Sequence, residues 1–340
     1  MTASKLKFGI LGAGRIGRVH AETLAFRVPE AEIEAIADVN REAAKALAER
    51  CGIQRVAVSA AEIINDPGID AVLICTSTDT HAELIVQAAE AGKHIFCEKP
   101  ISLSLEKIDC SLAAVKKAGV QLQVGYNRRF DSNFARVRQA VMTGEVGKPH
   151  LIHIISRDPA PPPISYLGPS GGLFLDMMIH DFDMARFLLG DEVEEVYAAA
   201  GVLVDPAIGE AGDIDTALVT LHFRNGAIGT IDNCRKATFG YDQRVEILGS
   251  KGKIASENRY PNQVVVSGEK SVYTDLPLNF FMQRYTEAFA TELEAFVCAL
   301  REGKPVPVTG EDSRASVVMA LAAGKSHKEH RPVRLKEISA

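Results

Sequence analysis

Asp176, His180 and Asp183 stand at i, i+4 and i+7 within Gly171–Gly190, a stretch reading GGLFLDMMIHDFDMARFLLG. Between Leu173 and Leu189 the apolar residues Phe174, Met177, Met178, Phe182, Ala185, Leu188 and Leu189 recur at helical spacing, and Gly190 sits where a C-cap would. On such a helix the three polar residues share a face, with neighbouring Cβ atoms roughly 5–6 Å apart. A carboxylate one turn from an imidazole can orient the ring and raise its basicity, which a general base requires. Taken alone, Asp-x-x-x-His is also the pattern of a helix whose polar line merely faces solvent.

A second group lies near the N-terminus. Gly12-Ala13-Gly14-Arg15-Ile16-Gly17 follows the short apolar run KLKFGIL and opens a helical stretch reaching about Phe26. A further apolar run, AEIEAIA, then ends in Asp38. Strand, glycine turn, helix, strand and acid make up a complete dinucleotide-binding unit. Gly12 permits the tight turn, Gly14 lets backbone approach a pyrophosphate, and Gly17 lets helix and strand pack closely. The helix N-terminus offers N–H groups and a partial positive charge to the phosphates. Asp38 can accept hydrogen bonds from ribose hydroxyls and would repel a 2′-phosphate, so NAD is favoured over NADP.

The third group is Glu98-Lys99-Pro100, at the end of the strand His94–Cys97. A lysine fixed there, just before proline, is in the zone where open α/β sheets bind ligands. By type alone it is also an ordinary surface lysine. The polar loop Thr76–His81 follows the buried strand Ala71–Cys75 and belongs to the same zone.

The elements that position these groups fall into two domains, residues 1–125 and 126–340. In the first, strands alternate with helices at Arg41–Cys51, Ala82–Ala91 and Leu105–Ala118, which predicts a doubly wound parallel α/β sheet of Rossmann type. After residue 125 a helix runs to about Met142, the strand Leu151–Ser156 follows, and Arg157–Pro169 is a stiff proline-rich loop. Past Gly190, short strands joined by turns, with Asn225-Gly226 as a hairpin signal, predict an open, mostly antiparallel sheet with helices on one face. That α+β domain leaves the other sheet face for self-association. Helices near Gln283–Glu302 and Asp312–Lys325 close the chain.

Composition fits this division. A length of 340 residues suffices for two cores, and a net charge of −6 argues against a nucleic-acid partner. Six scattered cysteines without a C-x-x-C pair suit reduced thiols and a cytoplasmic location. The start MTASKLKFGILG does not read as a signal peptide, and no run of 18 apolar residues argues for a membrane span. No recognised ligand spacing points to a metal. His20 reads as packing near the first helix, with an approach to the cofactor as the alternative. His222 reads as structural or at the association face, and Glu98 as orienting its loop.

Together, the glycine turn with Asp38, Glu98-Lys99-Pro100, and Gly171-Gly172 leading to Asp176 and His180 resemble the Gfo/Idh/MocA oxidoreductase family over essentially the whole chain. Within it, Gly125-Tyr126-Asn127-Arg128-Arg129-Phe130-Asp131, Ser156-Arg157-Asp158-Pro159 and Gly240-Tyr241-Asp242 are most similar to the bacterial inositol 2-dehydrogenases. The resemblance implies NAD-dependent oxidation of a ring hydroxyl of a cyclic polyol, foremost myo-inositol to 2-keto-myo-inositol (scyllo-inosose), in myo-inositol catabolism. It implies His180 as base, Lys99 hydrogen-bonding the reacting oxygen, and Asp176 assisting. Arg128, Asp158, Tyr241 and Tyr285 become candidates for substrate hydroxyls. Gly12, Gly14, Arg15, Ile16, Gly17, Asp38, Thr76, Ser77, His81, Glu98 and Lys99 become candidates for the cofactor. Assembly through the C-terminal sheet into dimers or a homotetramer is implied, with neither nucleic acid nor membrane as partner. Ser77 stands where many members have proline, which bears on the shape of the Thr76–His81 loop. The competing readings are a sugar dehydrogenase or another inositol-isomer dehydrogenase on the same scaffold, and a non-catalytic NAD-binding regulator.

Overall fold

The structure, a computed structural model, describes residues 4–339; the first three residues of the N-terminal run and Ala340 lie outside them. The chain divides into two compact units. One extends through Phe130 and regains the chain at Glu287–Ala315; the other comprises Asp131–Thr286 and the chain from Ser316 on.

The first unit is built on six parallel strands: β1 (Leu6–Leu11), β2 (Ala31–Ala37), β3 (Arg55–Val56), β4 (Ala71–Ile74), β5 (His94–Glu98) and β6 (Leu122–Gly125). Their order is β3-β2-β1-β4-β5-β6, so the chain reverses direction across the sheet between β1 and β4. That switch point opens the crevice where doubly wound sheets hold ligands. Continuous apolar strands such as AVLI in β4 are buried along their whole length, as a sheet covered on both faces demands. The helix Leu105–Ala118 shows how sequence sets its bounds: Ser104 accepts the Lys107 N–H at its start, and Gly119 takes the left-handed conformation at its end. The helix Thr286–Glu302 supplies part of this core from far along the chain. Its Leu293, Phe296 and Val297 pack with Phe8, Leu73 and Phe96, and the Phe296 ring lies 6.2 Å from Phe8 and 5.9 Å from Phe96. Each such fully buried side chain contributes about 1.5–3 kcal/mol.

The second unit carries β7 (Pro149–Arg157), β8 (Val193–Gly201), β9 (Thr216–Phe223), β10 (Ile228–Cys234), β11 (Asp242–Gly249), β12 (Gly252–Ser256) and the short β15 (Val333–Arg334). They form one sheet in the order β12-β11-β7-β10-β9-β8-β15. β7 and β10 run parallel and the other neighbours antiparallel, in keeping with the expected mostly antiparallel sheet. The helix Ile179–Leu189 packs on β7 and against the helix Ser132–Met142. Buried residues alternate with more exposed ones along β9, β10 and β11, so the inward face takes the apolar set. β13 (Val265–Ser267) and β14 (Val272–Thr274) form a separate hairpin rather than joining this sheet. The stretch expected as a proline-rich loop contains a short helix, Ile164–Ser170, with Pro163 capping its start and Pro169 inside its last turn.

Two buried acids anchor this unit. Asp131 caps the helix Ser132–Met142 and pairs with the buried Arg284. Asp215 is fully buried and accepts the N–H groups of Leu203, Val204 and Asp205 and the Thr216 hydroxyl. Burial acts to raise its pKa, but those donors prevail and hold it below the ordinary carboxylate value. A depressed folded-state pKa means stability present above the unfolded-state value and lost as pH falls through the folded one. Asp215→Asn turns an NH2 donor toward N–H donors. It is expected to cost about 2–3 kcal/mol at pH 7 and to lower Tm by roughly 5 °C or more. Thermal unfolding should show that gap narrowing once pH drops below about 4; an equal gap at pH 7 and 3.5 would remove the charge from this account.

Candidate active site

At the end of β1 the chain turns through Gly12, whose φ is +106°. A Cβ there would stand 2.5 Å from the Cys75 carbonyl oxygen, and one on Gly17 would strike the Gly12 carbonyl. Only glycine fits either position. Gly14 meets nothing within 4 Å, so its outer side is open to a ligand. The helix Arg15–Arg27 begins after Gly14 with no side-chain cap, leaving its first N–H groups for an anion. Arg15 is exposed and Ile16 half-buried at this helix start. Asp38, just past β2, accepts the Ala13 N–H at 2.5 Å and the Asn40 N–H at 2.6 Å. Those two bonds fix its carboxylate beside the glycine turn and leave acceptor capacity for ribose hydroxyls. The residues present therefore fit a dinucleotide.

Across the switch point, Thr76 and Ser77 follow β4. The expected loop Thr76–His81 is shorter than its sequence suggests, because a helix spans Thr78–Glu90 and His81 sits in its first turns. His81 is 1% exposed, with Nδ1 2.8 Å from the Pro100 carbonyl oxygen and Nε2 3.0 Å from that of Thr76. It ties the end of β4 to the segment carrying Lys99, and the Lys99–Pro100 bond is cis. Lys99 is half-buried. Beneath it, Glu98 accepts the Lys99 N–H at 3.2 Å through Oε2, while Oε1 lies 2.5 Å from His20 Nε2. His20 is fully buried, its ring edge-on to Phe96 and Phe289. Glu98 thus bonds the backbone of the loop it was expected to orient, and His20 is the partner that sequence reasoning missed. The signal was there: His20 lies three residues past Gly17, on the face that Gly17 turns to the sheet. Arg128 is buried in the single-turn helix Asn127–Phe130 that follows β6.

The second unit holds Asp176 and His180. The single helix expected from Leu173 to Leu189 is two elements: a π-turn over Leu173–Met177 and an α-helix over Ile179–Leu189. The wider turn shifts the phase of Asp176 relative to the α-helix. Asp176 and His180 are half-buried, whereas Asp183, third in the expected polar line, is 1% exposed. Asp181, which the period assigned no role, is fully buried and accepts Asn233 Nδ2 at 2.9 Å. The carboxylate of Asp176 has two neighbours that local sequence gives no means of finding. Tyr166 donates its hydroxyl to Oδ1 at 3.1 Å, and Arg235 lies 3.6 Å from Oδ2.

The second unit also holds further candidates. Asp158 donates its N–H to the Cys234 carbonyl at 3.0 Å and accepts the Ala237 N–H at 2.6 Å, so it flanks the loop leading to Tyr241. Tyr241 and Tyr285, both buried, meet at 6.1 Å and 88°, and the Tyr285 hydroxyl donates to Gln243 at 3.4 Å. Next to Asp158 and Tyr241 respectively, Arg157 and Asp242 pair across the β7–β11 register at 3.3 Å. Burial pushes Asp242 up, but hydrogen bonds from Arg244 and Asn258 and the charges of Arg244 and Arg157 hold it below the usual carboxylate value.

Residues 6–126 match the model of an oxidoreductase family with an NAD-binding Rossmann fold, GFO_IDH_MocA, and residues 134–255 match the GFO/IDH/MocA C-terminal domain. The chain is 47% identical to a myo-inositol 2-dehydrogenase of Thermotoga maritima, over 98% of this chain and 99% of that one. It is also 47% identical to an inositol 2-dehydrogenase of Rhizobium meliloti, over 96% of this chain and 98% of that one. The crystal structure of scyllo-inositol dehydrogenase from Lactobacillus casei with bound NAD(H) and scyllo-inositol superimposes with a TM-score of 0.92 at 30% identity, covering 98% of this chain and 100% of that one. The chain belongs to the Gfo/Idh/MocA family of NAD-linked oxidoreductases, and its β1–β6 sheet is the family's Rossmann domain.

Proposed function

We propose that this enzyme oxidises a ring hydroxyl of myo-inositol to the ketone, 2-keto-myo-inositol, with NAD. The full-length likeness to inositol 2-dehydrogenases carries this reading. When bound, NAD supplies the acceptor for the hydride leaving the carbinol carbon. Gly12, Gly14 and Gly17 leave room for its pyrophosphate, with Arg15 and Ile16 at the helix start, and Asp38 receives its adenosine ribose. Thr76, Ser77, His81, Glu98 and Lys99 line or support the nicotinamide side.

His180 takes the hydroxyl proton as the carbon–oxygen bond becomes double. Lys99 hydrogen-bonds the same oxygen, and its positive charge stabilises the alkoxide as it forms. Asp176 accepts a substrate hydroxyl, and Arg128, Asp158, Tyr241 and Tyr285 hold the remaining ring hydroxyls. Residues 1–125 act in this reading as the nucleotide-binding domain and 126–340 as the substrate and assembly domain.

The enzyme works in the cytoplasm, in myo-inositol catabolism; its six cysteines form no disulfide, which suits a reducing compartment. It assembles as a homotetramer through the open face of the large sheet, where Tyr197, Leu218, Ile228 and Leu248 expose apolar side chains on β8, β9, β10 and β11.

NADH formation with NAD and a panel of myo-, scyllo- and D-chiro-inositol, D-glucose, D-xylose and D-galactose tests the substrate. A lead for myo-inositol is expected. A lead for another isomer, as the likeness to the Lactobacillus casei enzyme would favour, or for an aldose would replace it. Lys99→Ala and His180→Ala should each lower turnover about 10²- to 10⁴-fold while NAD affinity stays near that of the parent. Wild-type-like turnover in either variant would overturn its role. Asp38→Ser should narrow the preference for NAD over NADP by about ten-fold or more in kcat/KM, since it removes the carboxylate that repels a 2′-phosphate. An unchanged preference would assign the discrimination elsewhere.

A further inference from the structure

We infer that Arg235 is a positioning residue for Asp176, acting with Asp213 as a bracket around the π-turn. This inference rests on the reading of Asp176 as a substrate-binding carboxylate.

Arg235 follows β10 and is 1% exposed, among the largest fully buried side chains of the chain. Burying a guanidinium is costly unless anions compensate it. Two carboxylates do so, one at each terminal nitrogen: Nη1 lies 3.6 Å from Asp176 Oδ2 and Nη2 lies 3.5 Å from Asp213 Oδ2. These are long contacts to two different acids, unlike the short two-pronged pairing that Arg offers a single carboxylate. Arg186 shows that short form in the same unit, holding Glu192 at 2.7 and 2.8 Å. Arg235 therefore serves as a spacer of fixed length between two acids. Its own position is set by backbone, through its N–H bond to the Asp215 carbonyl at 2.8 Å.

Asp213 holds the other end of the bracket. Its Oδ1 accepts the Leu173 N–H at 3.1 Å, at the first residue of the π-turn. The close approach requires Gly172, where a Cβ would stand 2.5 Å from that oxygen. The segment is thus held at its start by Asp213 and near its end, at Asp176, by Arg235. Tyr166 occupies the remaining oxygen of Asp176 at 3.1 Å and fixes the plane of the carboxylate. A carboxylate set in this way stays aimed, and a misplacement of about 1 Å in such a group can cost on the order of 10²-fold in rate.

The test is a mutant cycle on the full-length enzyme with myo-inositol and NAD. Its variants are Arg235→Met, Arg235→Lys, Asp176→Asn and the two double variants; NAD affinity and Tm are read alongside. Arg235→Met should lower kcat/KM for myo-inositol about 100-fold with NAD affinity within about two-fold. Arg235→Lys should recover part of that loss, since lysine keeps the charge but reaches one acid at a time. Because Arg235 acts through Asp176, adding either substitution to Asp176→Asn should cost less than about three-fold more. Losses that multiply in the doubles, or parental kinetics in Arg235→Met, would overturn the inference. If Arg235→Met does not fold, the Arg235→Lys cycle decides by the same criterion. Parental turnover in Asp176→Asn alone would sink the reading of Asp176 itself, an outcome distinct from a multiplying cycle.

Discussion

The Cys75 carbonyl and the turn at Gly12 approach so closely that a single methyl group would not fit between them, and Gly17 lies as tightly on Gly12. Because the helix Arg15–Arg27 can lie that near the sheet, His20 reaches Glu98 beneath it. Because Glu98 is held there, its second oxygen is available to the Lys99 N–H. On the far side of the same turn, the Ala13 N–H meets Asp38. Steric exclusion at two glycines thus fixes three polar groups that are distant in sequence. The dinucleotide turn and the lysine segment are, in this sense, one construction.

The second unit is organised differently, by charges taken out of water and paired. Arg284 with Asp131, Arg235 with Asp176 and Asp213, and Asp242 with Arg157 and Arg244 each join segments from different parts of the unit. Leaving one member of such a pair unmatched inside the protein is strongly unfavourable. Alternative packings that separate the partners are therefore disfavoured, which favours one arrangement of the loop between Cys234 and Tyr241. The apolar core alone, which tolerates small slippage, would specify that loop less sharply.

What could be read from the sequence followed the range of the interactions involved. The glycine turn and Asp38 rest on neighbours within about thirty residues, and period and spacing reveal them, as the alternation of strands and helices reveals a doubly wound parallel sheet. The mostly antiparallel second sheet was legible from alternation and turn residues. The helix around His180 was legible in extent but not in pitch. A π-turn leaves no clear periodic mark, and Asp183, which the α period set beside His180, is buried. Tyr166 was hidden in a stretch whose prolines suggested a loop, although a short helix runs through part of it. Arg235 and Asp213 were invisible because their meaning depends on strand pairing that brings positions 213 and 235 to the π-turn. His20 was a middle case: its place on the first helix was readable, but its partner seventy-eight positions away was not.

The first unit draws Leu293, Phe296 and Val297 into the core around Phe8 and Phe96. During synthesis on the ribosome, those residues emerge only after the whole of the segment 131–286 has been made. At the usual 5–20 residues per second, that interval is on the order of 10–30 s. Until then the newly made β1–β6 sheet carries an apolar face that Leu24 and Val28 cover only in part. Such a face is a natural ligand for chaperones that hold nascent chains, and a natural nucleus for aggregation when synthesis outruns them. The discontinuous route of the chain thus gives the protein a vulnerable period in its own manufacture that a contiguous nucleotide-binding domain would lack.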